Sequence, residues 1–236
     1  MCAELLKREG ADFDLIFCDT MSEDKDLYRF LDDQEIYFGK KIIVLSQGLD
    51  IWQAMEKASY QANSRNDPCS RILKREPFKK YMRDNYAPED TTIVIGIGHK
   101  EKHRTKDFQK NHAPFKVIAP LTEVQMTNDD ISAICEDAGF NAPELYDFDF
   151  PHNNCGGFCV KAGQKQAALL LKHRPHTYRW HEEKQELLFK SMGKKHPTIR
   201  KTTNGMMEYL SLKEFREFLQ SGGAPEMYDE GACACF

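Results

Sequence analysis

Three groups of residues have the types and spacing to do chemistry. The first is Asp19 and Thr20 with Glu23, where the apolar run over residues 13–18 stops. Open α/β sheets bind ligands at the carboxyl ends of their strands, so two carboxylates and a hydroxyl there suit a small polar ligand. The spacing of Thr20 and Glu23 is also that of a helix capping box, which would make the pair a helix start and nothing more. The second group is Gly96-Ile97-Gly98-His99-Lys100-Glu101-Lys102-His103-Arg104. Gly96 and Gly98 permit close approach to the backbone. Glu101 can accept from sugar hydroxyls and Arg104 can pair with phosphate oxygens. The third glycine of a dinucleotide fingerprint is missing, and a solvated helix start is the competing reading.

The third group is thiols. Asn154-Cys155-Gly156-Gly157-Phe158-Cys159 sets two cysteines four apart across a flexible turn. Cys69 opens a helix, a position that lowers a thiol pKa. Cys69, Cys155, Cys159 and Cys235 of the tail would make a four-thiolate set for a [4Fe-4S] cluster or, second choice, zinc. The spacing matches no standard pattern for either, and reduced thiols in ordinary packing are the alternative. Cys18 in a strand and Cys135 in a helix read as core residues. Arg71, Lys74, Arg75, Lys79 and Lys80 read as a solvated helical face, with an anion site from one or two of them as the sharper option. His173, His176 and His181 read as surface residues around a helix break at Pro175.

The elements that must position these groups follow from local pattern. Residues 2–10 end a helix at Gly10. Residues 13–18, 42–45, 91–97 and 116–119 are apolar, β-branched runs and read as strands. Helices are expected over 20–38, 49–60 and from Pro68 onward. The 91–97 run has no polar face, as in parallel sheets covered by helices on both sides. Strands alternating with helices imply parallel crossover units. Beyond residue 125 the chain turns helical: Thr127 to Gly139, 164–173, 176–192, and a last helix opened by Ser211 and Glu214. Residues 1–125 are therefore expected to form an α/β nucleotide-binding core, and residues 126–236 a helical, cysteine-containing part of the same domain.

At 236 residues, 41% hydrophobic and 30% charged, the chain can bury one sizeable core. A net charge of −4 argues against non-specific nucleic-acid binding as the main task without excluding a local basic site. No apolar run reaches the roughly 20 residues that span a bilayer, and the N-terminus lacks a secretory signal. A reducing cytoplasm is the expected compartment, where eight cysteines read as thiols or ligands before disulfides.

Phe17-Cys18-Asp19-Thr20-Met21-Ser22-Glu23, Pro68-Cys69-Ser70-Arg71-Ile72-Leu73-Lys74 and the 96–104 segment, in that order, resemble the phosphoadenosine phosphosulfate (PAPS) reductase family. That family lies within the adenine nucleotide α-hydrolase-like group, the PP-loop ATP pyrophosphatases. Pro120-Leu121 and the cysteine turn fit as well. The resemblance implies a three-layer, parallel twisted sheet with a helical C-terminal extension, binding ATP or PAPS. Asp19 and Thr20 would lie near the nucleotide, with Glu101 and Arg104 across the cleft. Members reduce PAPS or adenylyl sulfate, adenylylate substrates, or transfer sulfur to nucleic-acid bases. Many occur in phages, which would make the compartment a host cytoplasm.

The resemblance leaves open a nucleic-acid or protein partner, a homo-oligomer, and an inactive nucleotide- or metal-binding subunit. Two departures stand out. The family's Ser-Gly-Gly-x-x-Ser phosphate loop and the central strand before it would precede residue 2. Without that strand, 13–18 and 93–97 are each expected to expose an unpaired edge. The tail Gly231-Ala232-Cys233-Ala234-Cys235-Phe236 only loosely resembles the reductases' Glu-Cys-Gly-x-His setting.

Overall fold

The computed structural model describes residues 1–63, 65–203 and 205–228. Helix α1 (Cys2–Arg8) leads to a turn where Gly10 takes φ +67°. Strand β1 (Leu15–Asp19) precedes α2 (Lys25–Phe38), and β2 (Ile42–Ser46) precedes α3 (Ile51–Lys57). Asp50 caps α3 by accepting from the backbone N–H groups of Trp52 and Gln53, and Gln53 accepts in return from the Asp50 N–H. Helix α4 (Pro68–Ser70) runs through a π-helical turn (Arg71–Arg75) into α5 (Glu76–Asn85). Strand β3 (Thr92–Val94), α6 (Thr105–His112) and β4 (Lys116–Ile118) complete the alternation. Then come α7 (Asn128–Asp137), α8 (Gln164–His173), α9 (Pro175–Met192), the hairpin β5 (Ile199–Thr203) and β6 (Met206–Leu210), and α10 (Leu212–Gln220).

The fold is therefore α/β with a helical C-terminal part, as the alternation implies. Strands pair two by two: β1 with β2, β3 with β4 in parallel, and β5 with β6 antiparallel. Strand β3 is shorter than the apolar run, although the Ile95 N–H still bonds to the Ile118 carbonyl at 3.0 Å. Among the described residues no ladder joins the β1–β2 pair to the β3–β4 pair. The hairpin was not foreseen: β5 is largely polar, and an apolar run is what marks a strand in sequence. Among the described residues, no helix is long and apolar enough to cross a membrane.

The chain divides into two compact units. One comprises Met1–Phe17, Arg29–Leu45 and Pro77–Ala142, the other Cys18–Tyr28, Ser46–Glu76 and Pro143–Phe236. In the first, Met82, Ile93, Phe115 and Val117 are buried, with Ile16, Ile95 and Phe108 against them. In the second, the core gathers Trp52, Met55, Leu73, Leu145, Phe150, Leu170, Tyr178, Leu212 and Phe215. Helix α9 crosses it with Tyr178, His181, Glu182, Gln185, Leu188 and Phe189 buried, the three-to-four spacing of one helical face. His181 is thus a core residue, not the surface residue expected from its place near Pro175. The buried Glu182 carboxylate is matched by Arg216 of α10 through bonds of 2.7 and 2.8 Å.

Candidate functional site

Strand β1 delivers Asp19 and Thr20 into buried positions. Asp19 Oδ1 accepts from the Met21 backbone N–H and from the Tyr28 hydroxyl, each at 2.9 Å. The first bond is a local carboxylate turn that bends the chain off the strand, with Met21 at φ +53°. Burial, then the Asp19 carboxylate, push the Tyr28 phenol pKa up. Thr20 Oγ1 donates to Glu23 Oε1 at 2.7 Å, yet α2 begins only at Lys25. The capping-box reading is therefore corrected: the pair closes a turn that has to finish before a helix can start.

Glu23 also accepts from the Cys155 backbone, and Lys74 acts on it electrostatically. Burial outweighs these stabilising contacts and holds the Glu23 carboxyl above its ordinary range, with Asp19 adding repulsion. The Cys18 thiol donates to the Lys74 carbonyl at 3.7 Å. Burial drives it up to about 11, so Cys18 is a protonated, inert thiol at neutral pH.

The π-helical turn scatters the expected basic face, because its wider pitch rotates residues off the α-helical register. Arg71 pairs with Glu76 at 2.8 Å, Arg75 reaches buried Asp67 at 2.7 Å, and Lys74 acts on Glu23. Lys80 pairs with Asp84.

The turn at 155–159 lies directly on this strand end. Cys155, Gly156 and Gly157 take φ values of +49°, +63° and +80°. A left-handed residue with a side chain costs about 1–2 kcal/mol, so the surroundings must hold Cys155 there. A Cβ on Gly156 would lie 2.7 Å from the Ser22 carbonyl oxygen, and one on Gly157 2.7 Å from the Phe150 ring. Phe158 stacks on His181 with ring centroids 3.9 Å apart, and Trp52 tilts against it at 5.5 Å. Trp52 Nε1 donates to His181 Nδ1 at 2.9 Å, which requires a neutral imidazole with its proton on Nε2. Burial takes the His181 pKa down to about 3. Lys161 Nζ meets Asp67 at 2.6 Å, and the Lys161 N–H donates to Cys159 Sγ at 3.4 Å. The first and third residue groups are thus brought together.

Cys69, Cys155 and Cys159 form no disulfide. Cys155 and Cys159 are buried, and Cys69 is half-buried against the same apolar core as Cys155. Of the expected four-thiolate set, only Cys69, Cys155 and Cys159 lie among the described residues. Among the described residues no three Cys, His, Asp or Glu side chains are placed to hold a metal ion. Cys155 packs among apolar groups, and the Cys159 sulfur accepts a backbone bond. Cys233 and Cys235 lie outside the described residues.

The 96–104 segment belongs to the first unit. Gly98 opens a 3-10 turn over His99–Arg104 from an extended backbone of φ −81° and ψ 172°. Among the described residues, chain neighbours aside, nothing lies within 4 Å of where a Cβ on Gly96 or Gly98 would sit. Glu101 and Arg104 pair with each other, and His99 Nδ1 bonds to the Thr122 carbonyl at 2.8 Å. Lys102 meets Glu123 at 2.7 Å. Sequence reading missed Tyr28, Asp67, Lys161 and His181, each of which reaches its partner through the fold; for Lys161 and His181 that partner is about a hundred residues away or more.

Parallel strand pairing and alternating strands and helices define an α/β protein. Residues 2–198 match the model of the phosphoadenosine phosphosulfate reductase domain, and the chain belongs to that family. Members bind an adenine nucleotide. The chain is also similar to an uncharacterised protein of Methanocaldococcus jannaschii, with 32% identity over 107 residues. That match covers 45% of this chain and only 22% of the relative's length.

Proposed function

We propose that the chain binds a phosphosulfate-bearing adenine nucleotide at Asp19, Thr20 and Glu23 and reduces its sulfate with the thiols of Cys155 and Cys159. Cys69 is a third candidate thiol. The observation that carries this reading is the bond from the Cys155 backbone to Glu23, which joins the thiol turn to the strand end. A thiolate at Cys155 attacks the sulfate sulfur, the sulfur–oxygen bond to phosphate breaks, and adenosine 3′,5′-bisphosphate leaves with that electron pair. A thiolate at Cys159 then attacks Cys155 Sγ. Sulfite departs, and the two cysteines are left as a disulfide that an external dithiol must reduce. Gly96, Gly98, Glu101 and Arg104 are proposed as nucleotide contacts on separate grounds. The two glycines leave open space beside the backbone, and the Glu101–Arg104 pair can open to sugar hydroxyls and phosphate.

Incubation with PAPS and a dithiol tests this. Sulfite and adenosine 3′,5′-bisphosphate are expected in equal amounts, with sulfite lost in C155S while calorimetric binding of PAPS persists. Pyrophosphate release from ATP without sulfite from PAPS would favour adenylylation followed by sulfur transfer. Binding of neither nucleotide would favour an inactive partner subunit.

A further inference from the structure

The hairpin of β5 and β6 lies beyond the family match, which ends at residue 198, and takes no part in the nucleotide-site reading. Its two faces differ. By strand alternation Ile199, Lys201 and Thr203 share one face with their partners Leu210, Glu208 and Met206. Arg200 and Thr202 share the other with Tyr209 and Met207. The first face is packed only at its Ile199 end: Ile199 is 3% exposed, Lys201 pairs with Glu208 at 3.1 Å, and its Nζ sits 4.4 Å from the Phe218 ring centroid, whereas Met206 at the other end is 73% exposed. The second is open. Tyr209 is 53% and Met207 60% exposed, and the Tyr209 hydroxyl rests on Met207 Sδ at 3.5 Å.

The sequence leading into this hairpin is basic, although Lys201 is matched by Glu208 and Lys195 acts on Glu214. Residues 190–201 hold five Lys and Arg and no Asp or Glu, in a chain whose net charge is −4. Lys190, Lys194, Lys195 and Arg200 are all exposed. Collecting cations against the sign of the whole molecule costs self-repulsion, which a polyanion would relieve. The open apolar groups on this face are few. They suit flat, separate surfaces more than a continuous protein patch.

We infer that this hairpin face binds single-stranded nucleic acid, with bases on Tyr209 and Met207 and phosphates on Lys194 and Lys195. Tyr209 and Met207 stand two residues apart on β6, about 7 Å along the strand, which leaves room for successive bases. A duplex hides the base faces such a ring would stack on, so the single strand is the fitting form. An acidic peptide would satisfy the lysines but has no use for the open Tyr209 ring.

The full chain is titrated into labelled oligo-uridine and oligo-thymidine and followed by fluorescence anisotropy. Binding is expected, weakening roughly tenfold between about 50 and about 200 mM salt. Y209A should weaken it about fivefold or more. The double variant K194Q/K195Q should weaken it and flatten the salt slope. All three residues are exposed, so unchanged thermal melting separates lost binding from lost folding. Binding of either strand supports the inference, and the preferred sugar tells RNA from DNA. No binding of either strand at about 50 mM salt overturns it, as does unchanged affinity in Y209A. So does oligo-glutamate binding as tightly as the strands, which would assign the face to an acidic protein partner. Failure of PAPS reduction leaves each of these outcomes unaffected.

Discussion

Gly156 and Gly157 have φ values of +63° and +80°, with atoms 2.7 Å from where each Cβ would be. Gly96 and Gly98 have no positive φ and, among the described residues beyond their chain neighbours, no atom within 4 Å of that point. In sequence both are small-residue punctuation beside groups able to do chemistry. In the fold the first pair is required. It lets the thiol turn lie flat on the backbone of residues 22–24 and against Phe150. Among the described residues no neighbour requires the second pair to be glycine. The same residue type serves packing in one unit and leaves room in the other.

The largest effect expected from this contrast is that of G156A. Its methyl would meet a backbone oxygen in a left-handed conformation, so urea denaturation should show a loss of about 3 kcal/mol or more. A loss under about 1 kcal/mol would break the comparison.

Next is acid sensitivity of the same turn, through the His181 ring beneath Phe158. The folded pKa of about 3 lies below the ordinary 6.5, so between those values the unfolded chain binds the extra proton. The His181 contribution is whole above about pH 6.5 and is lost as pH falls toward about 3. Its slope is about 1.4 kcal/mol per pH unit. Denaturation at several pH values should show that slope, and H181Q should lack its share whatever its stability at pH 7.

The smallest stability effect belongs to G98A. Its extended backbone accepts alanine, so a gain of about 0.4–1 kcal/mol is expected from a less flexible unfolded chain. Calorimetry should show ATP or PAPS binding weakened in the same variant. Undiminished binding would leave the open space at Gly98 without a ligand to explain it.

Most of the framework was legible in sequence, and the exceptions are instructive. The spacing of Thr127 with Asp130 and of Ser211 with Glu214 marks true helix starts, each with both capping bonds formed. Thr20 and Glu23 have that same spacing and cap nothing, because Asp19 takes the Met21 N–H and turns the chain first. His181 looked superficial beside Pro175, but its register on α9 puts it under Trp52 and Phe158. The basic run at 71–75 looked like one face until a π-helical turn changed its pitch.

By itself the sequence determined the α/β alternation, the glycine stops, the polar strand end and the family. Apolar runs, cap bonds and backbone preferences act over a few neighbouring residues. Tertiary structure alone decided that Glu23 faces the thiol turn, that Asp67 ties Arg75 to Lys161, and that the cysteines pack without assembling a metal site among the described residues. Those outcomes rest on contacts between distant segments, where burial and backbone shape, which no local spacing encodes, choose among partners.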